Sequence, residues 1–355
     1  MSHFDELGGW PALLTQLLDR HDLPAASARE AMSTILAGDA TPAQLIAFTV
    51  ALKAKGETGE ELSGLLDAVL AAATPVPLGD ELRERAVDIV GTGGDHSHSI
   101  NVSTMSAIVV AGAGVPVCKH GARASSSKCG TADVLEALGV DIGLGPDGVL
   151  RCVEEAGIGF CLATTFHPAF RFAGPSRREI GIPTVFNLLG PMANPGRVRR
   201  QLIGVANPAV AERMLASLRI HGSIKAWIVH GNGLDELTTT GRSTVLALEH
   251  GEVTSFEVDP VSYGLAPAIA EELIGGDPAY NASVVNRVMA GDHGPARDIV
   301  VLNAGAGRVV AGVASDLEPG IALAMHSIDS GAAASSLRRF IETSQLAGAA
   351  ASSSS

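Results

Sequence analysis

Two consecutive strand–loop–helix units within residues 88–139 constrain the fold of this chain most strongly. Residues 86–90 and 115–118 are mostly apolar, and each segment predicts a buried strand. A loop rich in glycine, serine or threonine follows each strand, and helices then begin near Asn101 and at Thr131. Strands that alternate with helices form parallel sheets, in which the carboxyl ends of the strands meet at one edge. The sequence therefore predicts an α/β domain with anion-binding loops at that edge.

The alternation continues along the chain, and it predicts a mixed, mostly parallel central sheet. A hairpin turn at 250–252 would make part of the sheet antiparallel. From Pro260 onward the pattern is mainly helical, with glycine-rich breaks at 275–276 and 305–307. The further strands are predicted at 159–163, 201–206, 224–229 and 244–248, and the helices between them include 147–156 and 209–218.

The N-terminal part of the chain predicts helices only. Pro24 suits a helix start and Gly38 a helix stop, while Thr41 and Thr58 each begin a capping box. A stiff linker with two prolines follows at 74–79. Helices from the 165–190 region could join this part. The predicted division is a small helical domain at 1–77, a larger α/β domain at 78–346 and a disordered tail at 347–355.

The charge of the chain restricts its partners. The 355 residues carry a formal net charge of −13, which argues against a general binder of nucleic acid or of an anionic membrane surface. Basic residues in loops therefore stand out, and they indicate a pocket for a small anion. These residues are Lys119, Arg123, Lys128, Arg171, Arg177 and Arg178.

The cysteines and the N-terminus indicate a cytoplasmic protein. The four cysteines do not have the CxxC spacing of a zinc site, so reduced thiols are expected. The N-terminus lacks the basic region and apolar core of a signal peptide. The apolar run at 105–117 is too short and too rich in glycine to span a membrane.

The loops after the two strands carry the residue types that bind phosphate. Residues 91–95 read Gly-Thr-Gly-Gly-Asp, which lets the backbone approach phosphate oxygens but matches neither the dinucleotide fingerprint nor a Walker loop. On the glycine loop alone, a plain turn is as good an interpretation as a ligand-binding loop. Residues 101–104 add a carboxamide and hydroxyls that serve equally as a helix cap or as phosphate ligands. Lys119 and the serines at 125–127 follow the second strand, with a solvated loop as the alternative.

Three further clusters suggest ligand chemistry. Asp235 and Glu236 lie in a glycine-rich loop after a buried strand and could hold Mg²⁺, although most acidic pairs are only solvated. His96 and His98 form an H-x-H pair, which we interpret as exposed loop histidines rather than a metal site. Arg177 and the arginine after it could be surface charges of a helix, or one of them could bind a carboxylate through its bidentate fork.

Five motifs in this order resemble the anthranilate phosphoribosyltransferase family. They are GTGGD at 91–95, N-x-S-T at 101–104, KHG-x-R at 119–123, the block from HP at 167–168 through RRE and GIPT-x-FN-x-LGP to NP at 194–195, and GLDEL at 233–237. The resemblance covers nearly the whole chain. It implies a small helical domain joined to an α/β domain of the nucleoside-phosphorylase-like kind, in a homodimer.

The activity that this resemblance implies is an Mg²⁺-dependent pentosyl transfer in tryptophan biosynthesis. The phosphoribosyl group of 5-phosphoribosyl diphosphate (PRPP) would pass to the amine of anthranilate, with release of diphosphate. The implied PRPP-binding residues are Gly91, Gly94, Asp95, Ser99, Asn101, Val102, Ser103, Thr104, Lys119, His120, Gly121, Arg123, Ser126, Ser127 and Thr131. The implied Mg²⁺ ligands are Ser103, Asp235 and Glu236. The implied acceptor site is Gly91, Ala122, His167, Phe170 and Arg177, with Arg177 facing the anthranilate carboxylate and no general base assigned.

Departures from the family motifs concentrate on the acceptor side. Ala122 stands where the family has Asn, Thr164 where it has Pro, Phe170 where it has Tyr and Phe172 where it has His; Cys129 replaces the last serine of the serine run. We favour the ordinary enzyme with a changed pocket. The alternative is a paralogue that phosphoribosylates a different aromatic acid in specialised metabolism.

Two other classes of protein share features with the chain. A pyrimidine-nucleoside phosphorylase has the same architecture, but it needs no site for Mg²⁺ and diphosphate, so the acidic pair at 235–236 counts against it. A non-enzymatic nucleic-acid binder would need a basic surface, and the net charge of −13 opposes that function.

Overall fold

The computed structural model describes residues 4, 8–124 and 127–353, and its N-terminal part is helical. The capping boxes predicted at Thr41 and Thr58 are both formed, and Gly38 ends its helix with a left-handed φ of 83°. Glycine adopts this conformation without the steric penalty of a side chain. Between residues 8 and 79 the helices are α1 (Gly9–Leu18), α2 (Ala25–Ala37), α3 (Pro42–Lys55) and α4 (Gly59–Ala72).

The remainder of the chain alternates strands and helices as the sequence predicts. The first half contains α5 (Asp80–Arg85), β1 (Val87–Gly91), α6 (Val102–Gly112), β2 (Val117–Gly121), α7 (Thr131–Ala137), α8 (Pro146–Ala156), β3 (Ile158–Leu162), α9 (Ala163–Phe166), α10 (Gly174–Ile180) and α11 (Val185–Met192). The second half contains β4 (Arg200–Gly204), α12 (Ala211–Ile220), β5 (Lys225–Gly231), β6 (Ser243–Glu249), β7 (Glu252–Val258), α13 (Pro278–Met289), α14 (Pro295–Val310), α15 (Leu317–Asp329) and α16 (Ala332–Ser353).

The strands form one mixed sheet in the order β3-β2-β1-β4-β5-β6-β7. The first five strands in that order are parallel, and β6 and β7 are antiparallel to their neighbours. The two-residue loop between β6 and β7 has positive φ at His250 (51°) and at Gly251 (82°), which is typical of a type I′ hairpin turn. The predicted fold class and the predicted hairpin are therefore both confirmed.

The sheet separates two apolar clusters, because neighbouring side chains along a strand point to opposite faces. Ile89 and Leu202 belong to the cluster that includes α6 and α14. Val90 and Ile203 belong to the other cluster, which also contains the N-terminal helices, α12 and residues 185–193. The segment around α11 thus packs with the N-terminal helices on one side of the sheet.

The predicted break at 305–307 is wrong, because these glycines lie inside α14. A Cβ on Gly305 would lie 2.8 Å from Ile321 Cγ1 and 2.9 Å from the Ile321 backbone nitrogen. The glycine therefore lets α14 and α15 approach each other closely, instead of ending a helix.

The prediction of a disordered tail at 347–355 is also wrong over its described residues, since α16 extends to Ser353. Alanine dominates this segment and has the highest helix propensity, and Ala347 is buried against the core. Across the described residues, no helix combines the length and the apolar character that crossing a membrane requires.

Candidate active site

The loop after β5 carries Asp235 and Glu236, and we call it the acidic loop. It lies directly on the carboxyl ends of β1 and β4. A Cβ on Gly91 would lie 2.2 Å from Asp235 Oδ2, and a Cβ on Gly204 would lie 1.5 Å from the Asp235 carbonyl oxygen. The Gly93 amide donates a hydrogen bond to Asp235 Oδ2 at 2.7 Å. Only glycine at the two strand ends permits this approach. The glycine loop (residues 91–95) and the acidic loop therefore form one site.

Glu236 joins the same site from the next position. Its Oε1 accepts a hydrogen bond from the Ser103 amide at 3.1 Å, at the start of α6, where the helix dipole favours negative charge. Burial and the charge of Asp95 raise the pKa of Asp235 to about 7. Burial and the charge of Asp235 raise the pKa of Glu236. The three predicted metal ligands, Ser103, Asp235 and Glu236, thus lie together, and the two carboxylates repel each other in a way that a bound cation would relieve.

The oxygen donors of this cluster fit Mg²⁺. A hard cation prefers carboxylate and hydroxyl oxygens, and Mg²⁺ commonly completes its coordination with water and substrate phosphates. Within the described residues, no three His, Cys, Asp or Glu side chains converge as a closed metal site. A cation bound here would therefore take only part of its ligands from Asp235, Glu236 and Ser103.

Lys119 lies beneath the glycine loop, with its side chain almost fully buried. Its Nζ donates to the Ile89 carbonyl oxygen and lies 3.4 Å from Ser103 Oγ. Burial lowers the pKa of Lys119, and the charges of Asp88 and Glu236 oppose that shift. The ammonium therefore lies between acidic groups at the inner wall of the site.

Asp88 and Asn194 are site residues that the sequence interpretation missed. Asp88 Oδ1 accepts from the His120 amide at 3.2 Å, and its Oδ2 accepts from Asn194 Nδ2 at 2.8 Å. Burial raises the pKa of Asp88 to about 6, against the lowering effect of Lys119. These contacts fix the strand residues that carry Lys119 and His120. The sequence signal that could have revealed Asp88 is a single carboxylate within an otherwise apolar strand.

Asn101, which is predicted to bind PRPP, is held by hydrogen bonds from two sides. Its Oδ1 accepts from Asn281 Nδ2 at 2.8 Å, and its Nδ2 lies 3.4 Å from the Cys129 carbonyl oxygen. Asn281 is almost fully buried on α13, and its Oδ1 accepts from the Gly276 amide at 2.7 Å. The sequence interpretation also missed Asn281, because it lies 180 residues from Asn101.

The other residues of the glycine loop vary in exposure. The Asp95 carboxylate accepts from Ser97, at 3.2 Å from the amide and 2.7 Å from the hydroxyl. His96 and His98 are exposed, as predicted, with positive φ of 58° and 53°. The remaining residues predicted to bind PRPP lie nearby. Gly94 has a φ of 78°, and Ser99 forms an isolated β-bridge with Ile274. Val102 is buried, and Thr104 Oγ1 lies 3.5 Å from Thr131 Oγ1.

The loop after β2 shows a structural role for Arg123. Its guanidinium pairs with Asp133 at 3.0 Å and with Glu136 at 2.8 Å, and both partners raise its pKa. The guanidinium of Arg123 is thus already paired with carboxylates of α7. The Ser127 hydroxyl donates to the Cys129 carbonyl oxygen at 3.3 Å. Ser126 lies outside the described residues, and Gly121 packs against Phe160 and Thr131.

Aromatic rings form the other half of the site. The ring centroids of His120 and His167 are 4.9 Å apart, and Phe170 stacks on His167 at 5.2 Å. Phe186 meets Phe170 edge-on at 5.6 Å, and the Arg177 guanidinium lies 5.0 Å from the Phe186 ring centroid. His120, predicted to bind PRPP, therefore directs its ring to the side predicted for the acceptor.

Two neutral imidazoles and the Arg177 guanidinium give this aromatic cluster a positive charge, which favours an anionic ligand. Burial lowers the pKa of His120 to about 3 and that of His167 to about 4, so both imidazoles are neutral at pH 7. His120 Nδ1 lies 3.0 Å from the Gly190 carbonyl oxygen, and its buried Nε2 has no partner among the described residues. Arg177 is partly buried, which lowers its pKa, and no acidic side chain pairs with it in the described part of the chain.

The departures on the acceptor side do not all lie in this cluster. Phe170 is part of it. Phe172 instead packs 2.8 Å from where a Cβ on Gly38 would lie, with Arg171 stacked over its ring at 4.5 Å. Ala122 and Thr164 are exposed. The substitutions thus combine one change inside the aromatic cluster with changes at the surface.

Two family models match the chain, one over each of its two parts. Residues 11–73 match the helical bundle domain of the glycosyl transferase family, and residues 83–334 match the a/b domain of that family. The anthranilate phosphoribosyltransferase of Rhodococcus jostii is 52% identical over 349 residues, covering 95% of this chain and 94% of the relative. The chain belongs to the anthranilate phosphoribosyltransferase family. The enzyme of that name from Saccharopolyspora erythraea is 50% identical over 342 residues, covering 95% of this chain and 96% of the relative.

Solved structures of the family superpose on nearly the whole chain. Anthranilate phosphoribosyltransferase from Thermus thermophilus matches with a TM-score of 0.88 and 38% identity, covering 94% of this chain and 99% of that structure. The enzyme from Saccharomyces cerevisiae in complex with PRPP and Mg matches with a TM-score of 0.86 and 28% identity, covering 97% and 99%. A complex of the yeast enzyme with 4-fluoroanthranilate matches with a TM-score of 0.84 and 27% identity, covering 96% and 99%.

Proposed function

We propose that this protein transfers the phosphoribosyl group of PRPP to the amine of anthranilate. The products are N-(5-phosphoribosyl)anthranilate and diphosphate, and the reaction is a step of tryptophan biosynthesis. Membership of the family supports this activity. The observation that carries it is the convergence of Asp235, Glu236 and Ser103 on the glycine loop at Gly91.

The donor half of the site is proposed to bind PRPP between the glycine loop and the start of α6. The residues of 91–104, with Lys119 behind them, would provide backbone amides, hydroxyls and a cation for the phosphates. Asp235, Glu236 and Ser103 would hold Mg²⁺, which when bound stabilises the negative charge of the departing diphosphate. The buried Lys119 Nζ, 3.4 Å from Ser103 Oγ, would add positive charge close to the same groups.

The acceptor half is proposed to bind anthranilate along the aromatic cluster. Arg177 would pair with the carboxylate, and the rings of His167, Phe170 and Phe186 would pack near the aromatic ring. The amine nitrogen attacks ribose C1 with its lone pair while the bond from C1 to the diphosphate oxygen breaks. The amine then loses one proton. Since the nucleophile already has its lone pair, positioning is the main requirement, and we assign no general base.

A panel of acceptors tests the proposed substrate. Purified protein with PRPP and Mg²⁺ is assayed for diphosphate release with anthranilate, with related aromatic acids and without acceptor, and for phosphate-dependent cleavage of thymidine. We expect anthranilate to give the highest kcat/KM. Turnover of a different aromatic acid without turnover of anthranilate would instead establish the paralogue, for which the changes at Ala122 and Phe170 argue. Thymidine cleavage would establish the phosphorylase.

The assembly and location are further parts of the proposal. We propose a cytoplasmic homodimer with a helical domain at 1–77 and an α/β domain at 78–346. The four cysteines are buried and free, which supports a reducing compartment. Light scattering during size-exclusion chromatography tests the dimer, since one chain has a mass of 36.2 kDa.

A further inference from the structure

Asn303 is a fully buried polar side chain in the middle of α14. Its Oδ1 accepts from the Leu237 amide at 3.0 Å, and its Nδ2 donates to the Leu237 carbonyl oxygen at 2.8 Å. The same Nδ2 also donates to the Ile299 carbonyl oxygen at 2.9 Å. One side chain thus binds both polar groups of one backbone residue, as a neighbouring β-strand would.

The residue that Asn303 binds follows the acidic pair directly. Leu237 is buried, and the backbone before it contacts strand β5 of the sheet. A Cβ on Gly231 would lie 2.4 Å from the Glu236 carbonyl oxygen, which shows how closely the loop contacts β5. The backbone at 235–237 is therefore held between the sheet and α14.

The helix that carries Asn303 is itself anchored to the helix that carries Ser103. The Ser106 hydroxyl of α6 donates to the Val300 carbonyl oxygen of α14 at 3.3 Å. A Cβ on Gly307 would lie 2.8 Å from Ile89 Cδ1 and 3.1 Å from Val110 Cγ2, so α14 packs tightly on β1 and α6. Asn303 therefore connects the acidic loop to the same rigid unit that presents the Ser103 amide to Glu236.

We propose that Asn303 is a positioning residue for the divalent-cation site of this protein. By fixing the backbone at Leu237, it sets where the carboxylates of Asp235 and Glu236 lie relative to Ser103. The inference rests on the proposed role of this acidic pair in binding metal with PRPP. Residues that orient metal ligands typically change metal affinity by about 10- to 100-fold when they are replaced.

Calorimetric titration of the full-length protein with PRPP tests this role, with Mn²⁺ as the probe metal. Each variant is titrated with PRPP in the presence of Mn²⁺ and again in the presence of EDTA. We expect Asn303→Ala to weaken binding about tenfold in the Mn²⁺ titration and to leave the EDTA titration unchanged. Ser327→Ala is the matched control, because it removes a buried hydrogen bond of 2.9 Å to Val109 away from the acidic loop. It should bind like the unchanged protein in both titrations.

Steady-state kinetics provide a second readout. Asn303→Ala should raise the Mg²⁺ concentration for half-maximal rate, while KM for anthranilate at saturating Mg²⁺ stays constant. If Asn303→Ala is unfolded at the assay temperature, Asn303→Ser decides the question, since it keeps an uncharged polar group in the helix but is too short to make both hydrogen bonds to Leu237. Equal Mn²⁺ dependence in the folded variant and the unchanged protein would overturn the inference. If the unchanged protein gains nothing from Mn²⁺, the proposed metal role fails instead.

Discussion

Gly91 and Asp235 lie so close together that a Cβ on Gly91 would be 2.2 Å from Asp235 Oδ2. The end of the first strand and the acidic loop therefore occupy space that no side chain at position 91 can share. The Gly93 amide adds a hydrogen bond of 2.7 Å to the same oxygen. The glycine loop thus positions a carboxylate of the proposed metal site.

Replacing Gly91 should impair catalysis. In Gly91→Ala the methyl group must displace the Asp235 carboxylate, so we expect kcat/KM for PRPP to fall by about 10- to 100-fold, as for other changes that misplace a metal ligand. Gly145→Ala is the control, because a Cβ there meets no atom within 4 Å and φ is −78°. Steady-state kinetics at several Mg²⁺ concentrations would measure both variants. Equal kcat/KM in the two would contradict the proposed metal site.

The two neighbouring arginines of α10 should differ in their effect on the acceptor. Arg177 lies against the Phe186 ring without an acidic partner in the described chain, whereas Arg178 is exposed. Arg177→Ala should raise KM for anthranilate by about 10- to 100-fold, since a hydrogen bond to a charged group contributes roughly 1.5–3 kcal/mol. Arg178→Ala should leave KM unchanged, and KM for PRPP should be unaffected in both variants. A larger effect from Arg178→Ala would reverse the assignment.

The buried histidines should make the protein less stable in acid. The pKa of His167 is lowered from 6.5 to about 4, so the unfolded chain binds more protons than the folded one between these values. The stabilising contribution of neutral His167 is complete above pH 6.5 and is lost as the pH falls to about 4, with a cost on the order of 3 kcal/mol. His120 acts in the same direction, with a pKa of about 3.

Urea unfolding at pH 7.5 and at pH 5, in the unchanged protein and in a His167 variant, would isolate this contribution, because the raised pKa values of Asp88 and Asp235 act in the opposite direction in both proteins. His167→Gln keeps a donor for the Ala193 carbonyl oxygen, which lies 2.9 Å from His167 Nε2, but it cannot be charged. We therefore expect this variant to lose less free energy of unfolding between the two pH values than the unchanged protein. His21→Gln, at an exposed position, should show the full loss. An undiminished loss in His167→Gln would exclude His167 as its source.

The close contact between α14 and α15 predicts a stability effect at Gly305. A methyl group there would lie 2.9 Å from the Ile321 backbone nitrogen, so the helices must separate. We expect Gly305→Ala to lower the free energy of unfolding by about 1–3 kcal/mol, the usual cost of overpacking a core. Urea unfolding beside Gly145→Ala would measure it. A gain in stability, as helix propensity alone predicts for alanine, would show that the helices adjust without cost.

Local patterns were sufficient to predict the order of strands and helices, both N-terminal capping boxes and the hairpin turn. They also predicted that the loops of residues 91–104 and Lys119 lie at one sheet edge, because the carboxyl ends of parallel strands converge. The acidic pair at 235–236 was joined to that site only through the resemblance to the family. Composition led to a wrong prediction of a helix break at 305–307 and of a disordered tail at 347–353. There, glycine serves close helix packing, and an alanine-rich segment continues a helix.

The residues that the sequence did not reveal act through contacts between distant segments. Asn303 binds a residue 66 positions earlier in the chain, and Asn281 binds one 180 positions earlier. Each lies on a helix where asparagine has no local signature. Asp88 was visible as a carboxylate in an apolar strand, but its partners at His120 and Asn194 depend on the fold. Such supporting residues need the tertiary structure to be recognised.

A crystal structure with PRPP, Mg²⁺ and anthranilate is the most direct test of the proposed site. We predict that Asp235 and Glu236 coordinate the metal, that the phosphates lie along residues 91–104, and that the anthranilate carboxylate pairs with Arg177. The amine should face ribose C1 from the side of the aromatic cluster. Metal or PRPP bound away from the acidic loop, or anthranilate bound away from Arg177, would contradict the proposed site.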